Sequence, residues 1–292
     1  MFHPSTIGVI TRSLAFASMA VGIVPAVALA VALAATTAQA FDETKYPDWS
    51  GQWRRPPGVS IQWDPTKPLG RGQPAPLTAE YQTLFEASLA DQAKGGQGED
   101  ARFTCIPPGM PRIMTIVWPA ELVILPKITY VNFENHMPRR IYTDGRSFPT
   151  NEEPSLMGYS IGQWLDTDGD GRYDTLEVET RNLKGPRTFE TTGLPMHKDN
   201  KTVVKERVTL DKGDPDILLD EITTIDNALT RPWTVIKKYR RYRDFIWVEN
   251  NCAEGNAHVG IGKENYMLSA DGLLMPARKN QAPPDLRYFQ QR

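Results

Sequence analysis

Asp166, Asp168, Asp170, Asp174 and Glu177 stand in one run, Asp-Thr-Asp-Gly-Asp-Gly-Arg-Tyr-Asp-Thr-Leu-Glu. Counted from Asp166, the carboxylates fall at positions 1, 3, 5, 9 and 12, and Gly171 takes position 6. Acidic groups this dense repel one another unless a cation sits between them. A hard cation with about six to eight oxygen ligands would draw them together, and a glycine at the sixth position permits the sharp turn this needs. The ligand set that follows is Asp166, Asp168, Asp170, the carbonyl of Arg172, Glu177, and Asp174 directly or through water. The ion that fits is Ca²⁺.

The spacing is that of an EF-hand loop, but the flanks are not those of one. Gly162-Gln163-Trp164-Leu165 precedes it, and Thr175-Leu176-Glu177-Val178-Glu179-Thr180 follows, alternating apolar and polar as a half-buried strand does. The loop is therefore expected at the tip of a β-hairpin, with Glu177 leaving on a strand. The plainer alternative is a solvated Asp-Gly turn between strands.

Other chemistry is read from polar residues on apolar strand faces. On Val203–Leu210, Glu206 shares a face with Val204, Val208 and Leu210; on Ile217–Ile225, Glu221 shares one with Ile217, Leu219 and Ile225. A buried carboxylate needs a partner, and Arg139 or Arg140 can supply it. The outcome is either a structural ion pair or the polar floor of a ligand pocket, with Trp53, Arg139, Arg140, Tyr142, Trp164 and Glu206 as the candidate lining. The candidate catalytic groups are Glu206, Glu254 and His258, the last two as an acid–base couple. No nucleophile elbow, phosphate-cradling glycine loop or zinc spacing occurs, and no pattern calls for an organic cofactor.

The elements that must position these groups are mostly strands. After the opening Gly51-Gln52-Trp53 comes a Pro/Gly-rich stretch, then a helix over Tyr81–Leu89 capped by Thr78 and stopped at Gly95-Gly96. Strands are expected at Leu122–Leu125, Ile128–Glu134, Arg139–Thr143, Tyr159–Leu165, Thr175–Thr180, Val203–Leu210, Ile217–Ile225, Trp233–Tyr239 and Phe245–Val248. Short turns between them imply a mainly β fold: an antiparallel meander closed into a lipocalin-like barrel with one flanking helix, or alternatively a β-sandwich. Closure is favoured because it removes exposed edges. The seven tryptophans suit a large aromatic core, some of it open to an apolar ligand.

Residues 1–40 read as an export signal: Arg12 is the lone charge, a long apolar run follows, and Ala38-Gln39-Ala40 offers a cleavage site. The run could also stay as an anchor. Residues 41–292 form one domain: a strand, Pro-rich segment and helix over 41–119, the β-meander over 120–250, and a tail over 251–292. A periplasmic or secreted location makes a Cys105–Cys252 disulfide the expected state of the only two cysteines. The net charge is −2, which suggests neither a nucleic-acid partner nor, once the signal is removed, a membrane surface. Oligomeric state is not legible in the chain.

Asp48-Trp-Ser-Gly-x-Trp53, Arg139-Arg-Ile-Tyr-Thr-Asp-Gly-Arg146, Gly158-x-Ser-Ile-Gly-x-Trp164, Thr230-Arg-Pro-Trp-Thr-Val235 and Cys252-x-Glu-Gly-Asn256 occur in this order. The set resembles a large group of secreted bacterial proteins for which no reaction is established. That resemblance implies export and a β-rich fold. This chain has Tyr159 and Ala253 where the group often has histidine, and its acidic loop is longer. The expected function is an exported, calcium-stabilised barrel binding a small apolar or aromatic molecule. The alternatives are an isomerase, lyase or hydrolase using a buried carboxylate, or a structural or interaction protein without a pocket.

Overall fold

The computed structural model describes residues 41–59, 61–67, 75–100, 106–134, 136–244, 247, 257–261 and 264–284. The expected export signal, Cys105, Cys252, Glu254 and all but Trp247 of the expected Phe245–Val248 strand lie outside the described residues. The elements in chain order are β1 (Gln52–Arg54), α1 (Ala79–Ala93), β2 (Ala120–Leu125), β3 (Ile128–Phe133), β4 (Arg139–Tyr142), β5 (Tyr159–Leu165) and β6 (Thr175–Arg181). There follow β7 (Arg187–Thr188), β8 (Pro195–Met196), β9 (Val203–Leu210), β10 (Ile217–Ile225) and β11 (Trp233–Tyr242). Last come β12 (His258–Ile261), β13 (Glu264–Leu268) and β14 (Leu274–Pro276).

Nine strands close into a barrel in the order β1-β11-β10-β9-β6-β5-β4-β3-β2, with β1 pairing β2 to complete the ring. The expected barrel with one flanking helix is the observed architecture. It departs from a pure antiparallel meander at one place: β4 and β5 run parallel, with Ile141 opposite Ser160 and Tyr142 opposite Ile161. Parallel neighbours need a long crossover, and residues 143–158 supply it. The region expected as a tail holds a separate sheet, β12-β13-β14. Its strands are too short and too weakly alternating to stand out in the sequence.

The two ends of the barrel differ. At one, α1 lies against the β7–β8 hairpin: Ser88 Oγ donates to Thr192 O (2.9 Å) and Gln92 Nε2 to Thr191 O (2.8 Å). Thr78 Oγ1 caps the helix by accepting from Tyr81 N (3.4 Å), and Tyr81, Phe85 and Ser88 form its buried stripe. Trp63, Phe189 and Trp233 pack together at this end, ring centroids 5.2–6.4 Å apart. At the other end Tyr46, Trp49, Trp164 and Tyr173 cluster beneath the β5–β6 loop. Gly162 is required between them, since a Cβ there would lie 2.7 Å from Ile141 Cγ2 and 3.1 Å from Leu176 Cδ1. Among the described residues no helix is long and apolar enough to cross a membrane.

Candidate functional site

The acidic loop caps the β5–β6 hairpin, between Leu165 and Thr175. Carboxylate oxygens of Asp166, Asp168 and Asp174 lie within 4.8 Å of one another. Backbone bonds hold them there: Gly169 N and Gly171 N donate to Asp166 Oδ1 and Oδ2 (2.7 and 2.9 Å), and Thr167 N donates to Asp174 Oδ2 (3.1 Å). Gly169 and Gly171 take φ of +78° and +89°, a region open to glycine at little cost. Hydrogen bonding from Thr167 and Thr175 helps hold the Asp174 carboxyl below its usual range, against the desolvation that is the largest single influence on it. Three carboxylates converging within 4.8 Å suit a hard divalent cation.

Two expected ligands are not in that cluster. Asp170 turns its carboxylate to Arg172 N (2.8 Å), and Glu177 pairs with Arg207 (2.6 Å) on the outer face of the sheet. The cause for Glu177 is strand geometry: β6 is regular from Thr175, so residue 177 points away from both the barrel interior and the loop. The Arg172 carbonyl gains no support either way.

Glu206 points into the barrel, 4% exposed, and Arg139 from β4 meets it across the lumen. Arg139 Nη1 donates to Glu206 Oε1 (2.8 Å) and Nη2 to Oε2, a bidentate pair. The same guanidinium donates to Thr180 Oγ1 (3.0 Å) and Ser160 Oγ (3.3 Å). Arg139 and Ser160 come from segments well apart in the sequence, which the β4–β5 pairing makes neighbours.

The expectation for Glu221 is corrected. Leu218, Asp220, Ile222 and Thr224 form the inner face of β10, and Glu221 points outward. Both faces of Ile-Leu-Leu-Asp-Glu-Ile-Thr-Thr-Ile carry apolar residues and a carboxylate, so alternation alone could not choose between them. Asp220 is fully buried, with the Tyr239 side chain beside it. Burial, then the nearby Glu206 carboxylate, push its pKa well up. Lys237, its cross-strand neighbour on β11, is pushed down to about 7 by burial and donates to the carbonyls of Gln62 (3.3 Å) and Trp63. Tyr239 completes the row, its hydroxyl donating to Met114 O (2.5 Å). Asp220, Lys237 and Tyr239 were not singled out from sequence; their signal is the same inward parity that identified Glu206.

The expected pocket lining divides in two. Trp53 and Trp164 are packed inside with Arg139 and Glu206; Trp53 Nε1 donates to Trp49 O (3.0 Å), and Arg241 lies over its ring at 4.6 Å. Arg140 and Tyr142 fall on the outer face, because β4 alternates Arg139 and Ile141 inward. Tyr142 stacks on Tyr159 at 4.9 Å, and Arg146 covers it at 3.9 Å. His258 on β12 meets Gln97 through Nδ1 (2.8 Å); its expected partner Glu254 is outside the described residues.

Concave surface lies outside the barrel. The largest hollow, about 930 Å³, runs over the outer faces of β5, β6 and β9, where Glu177–Arg207 and Glu179–Lys205 pairs neutralise one another. A groove of about 330 Å³ follows the β4–β5 seam. It is walled by Pro107, Met137, Pro138, Leu156, Met157, Tyr142 and Tyr159, with Arg139, Arg140 and His136 also contributing. Met137 is 69% exposed there. No family model, curated protein or solved structure matches the chain.

Proposed function

We propose that this is an exported binding protein: a calcium-stiffened β-barrel that takes a small apolar or aromatic molecule in the groove over the β4–β5 seam. The observation that carries the reading is the groove's wall. Two methionines, two prolines, a leucine and two tyrosines face a space of about 330 Å³, within the size range of small-molecule sites. Methionine adapts its shape to a ligand, and tyrosine offers a flat face with a polar tip. Arg140, beside them, gives one charged point for orientation.

The interior is a poorer place for a ligand, since Trp53, Trp164, Arg139 and Glu206 occupy it at no more than 8% exposure. The same packing weakens the enzymatic alternative. Glu206 is held by Arg139, and Asp220 is fully buried beside Lys237 and Tyr239 of the next strand. The loop's role is to tie β5 to β6 at the end of the barrel away from the helix.

Titration of the protein with indole, followed by nuclear magnetic resonance, tests the reading. Saturable shifts at Met137, Met157 and Tyr159 are expected, and Met157→Arg should remove them. Shifts that persist unchanged in Met157→Arg would place the ligand outside the groove, and no saturable shift with indole or naphthalene would leave the protein with a structural role.

A further inference from the structure

A second cleft, about 370 Å³, opens at the helix end of the barrel beyond β1 and is lined by Arg54, Arg55, Ile116, Val117, Trp118, Pro119 and Glu134. Its chemistry differs from that of the seam groove. Two consecutive guanidiniums and an exposed aromatic line it together. Among the described residues neither arginine is paired with a carboxylate. Arg54 donates through Nε to Gln52 Oε1 (2.8 Å) and lies over the Tyr242 ring at 5.0 Å. Arg55 has no hydrogen-bond partner for its shielded Nη1, and burial alone lowers its pKa. A guanidinium that has lost part of its hydration without gaining an anion is costly, and a carboxylate bound in the cleft would compensate it bidentately.

The apolar part of the lining is displayed to solvent. Val117 and Trp118 are 36% and 40% exposed, next to Ile116, which is buried at φ +40° and ψ +65°. A β-branched residue is strained in the left-handed region, and Val117 and Trp118, which follow it, both line the cleft. With two cations and one carboxylate, Glu134, the lining carries a net positive charge.

We infer that this cleft binds an amphiphilic organic monoanion, a carboxylate on a short aliphatic or aromatic body, with the carboxylate at Arg55 and the body against Trp118 and Val117. The site is separate from the seam groove and does not depend on the function proposed for it.

Calorimetric titration of the full chain with 4-phenylbutyrate and with its uncharged analogue 4-phenyl-1-butanol reads the inference directly. The acid is expected to bind about tenfold or more tightly than the alcohol, the difference expected of a charge-assisted contact. Arg55→Gln should abolish that preference while leaving the alcohol's affinity unchanged, and Trp118→Ala should weaken both. Added salt should weaken only the acid. Met157→Arg, in the seam groove, should leave binding of the acid intact. Equal affinity for acid and alcohol in the wild type, no saturable binding, or an Arg55→Gln variant that keeps the acid preference would overturn it. Loss of acid binding in Met157→Arg with Arg55→Gln silent would place the acid in the seam groove, and this inference alone would fail.

Discussion

Replacing Arg139 by methionine should be among the most damaging single changes in the barrel. It removes both bonds to Glu206 and those to Thr180 and Ser160. Thr180 and Ser160 keep each other as partners at 2.8 Å, so the cost concentrates on Glu206, left as a carboxylate at 4% exposure with no cation. Breaking a buried pair from one side costs about 3–5 kcal/mol. For a domain of this size each kcal/mol lowers Tm by about 2–4 °C, so a fall of about 6–20 °C is expected in calorimetry. Arg139→Met/Glu206→Met removes both charges and fills the space with apolar atoms. It should recover most of the loss, because a buried pair exchanged for packed hydrophobes is often neutral or better. Urea denaturation of the four species gives the coupling energy, expected to exceed about 2 kcal/mol in favour of the pair. A single-variant loss under about 1 kcal/mol, or a double variant as unstable as the two losses added, would refute the account of the interior.

Calcium at ten times its dissociation constant should stabilise the fold by about 1.4 kcal/mol, a rise in Tm of about 3–6 °C. Asp166→Ala should abolish that rise and Glu177→Ala should preserve it; a Glu177→Ala variant blind to calcium would restore position 12 to the ligand set. Lys237, at about 7 when folded and about 10.4 when unfolded, gives up its proton on folding between those values. Its contribution to stability therefore grows as pH rises from about 7 to 10, by at most about 1.4 kcal/mol per unit, and Lys237→Met should flatten that limb of a pH–stability curve. Asp220 has the opposite sign: its raised pKa makes stability fall as pH climbs above about 4, and an Asp220→Asn variant with an unchanged acid-to-neutral profile would contradict its burial as an acid.

The barrel was legible because its strands announce themselves. Tyr159–Leu165, Val203–Leu210 and Ile217–Ile225 are rich in β-branched and aromatic residues between turn residues, and their observed bounds match those read from the sequence. The pairing of Glu206 with Arg139 was legible too, since inward parity on one strand and the arginines on another left few partners. Three features were hidden. Nothing local distinguishes the parallel approach of β4 to β5, because it depends on the path of residues 143–158 outside the sheet. Ile217–Ile225 is nearly symmetric between its faces, so only the neighbours Val208 and Lys237 decide that Asp220 turns inward. Arg55 carries no periodic signal at all; its isolation follows from where β1 ends.

The single parallel seam bears on how this architecture can change. Around a closed ring each antiparallel neighbour reverses the strand direction, and a full circuit must end in the direction where it began. Eight reversals and one parallel step satisfy that condition for nine strands; nine reversals cannot. A relative of this chain can therefore gain or lose a whole hairpin and keep the seam. Gaining or losing one strand instead forces the seam to vanish or a second to arise, and in the first case the groove over β4 and β5 would go with it. An odd number of strands in a closed descendant of this fold should thus guarantee at least one parallel seam, whereas an even number allows none.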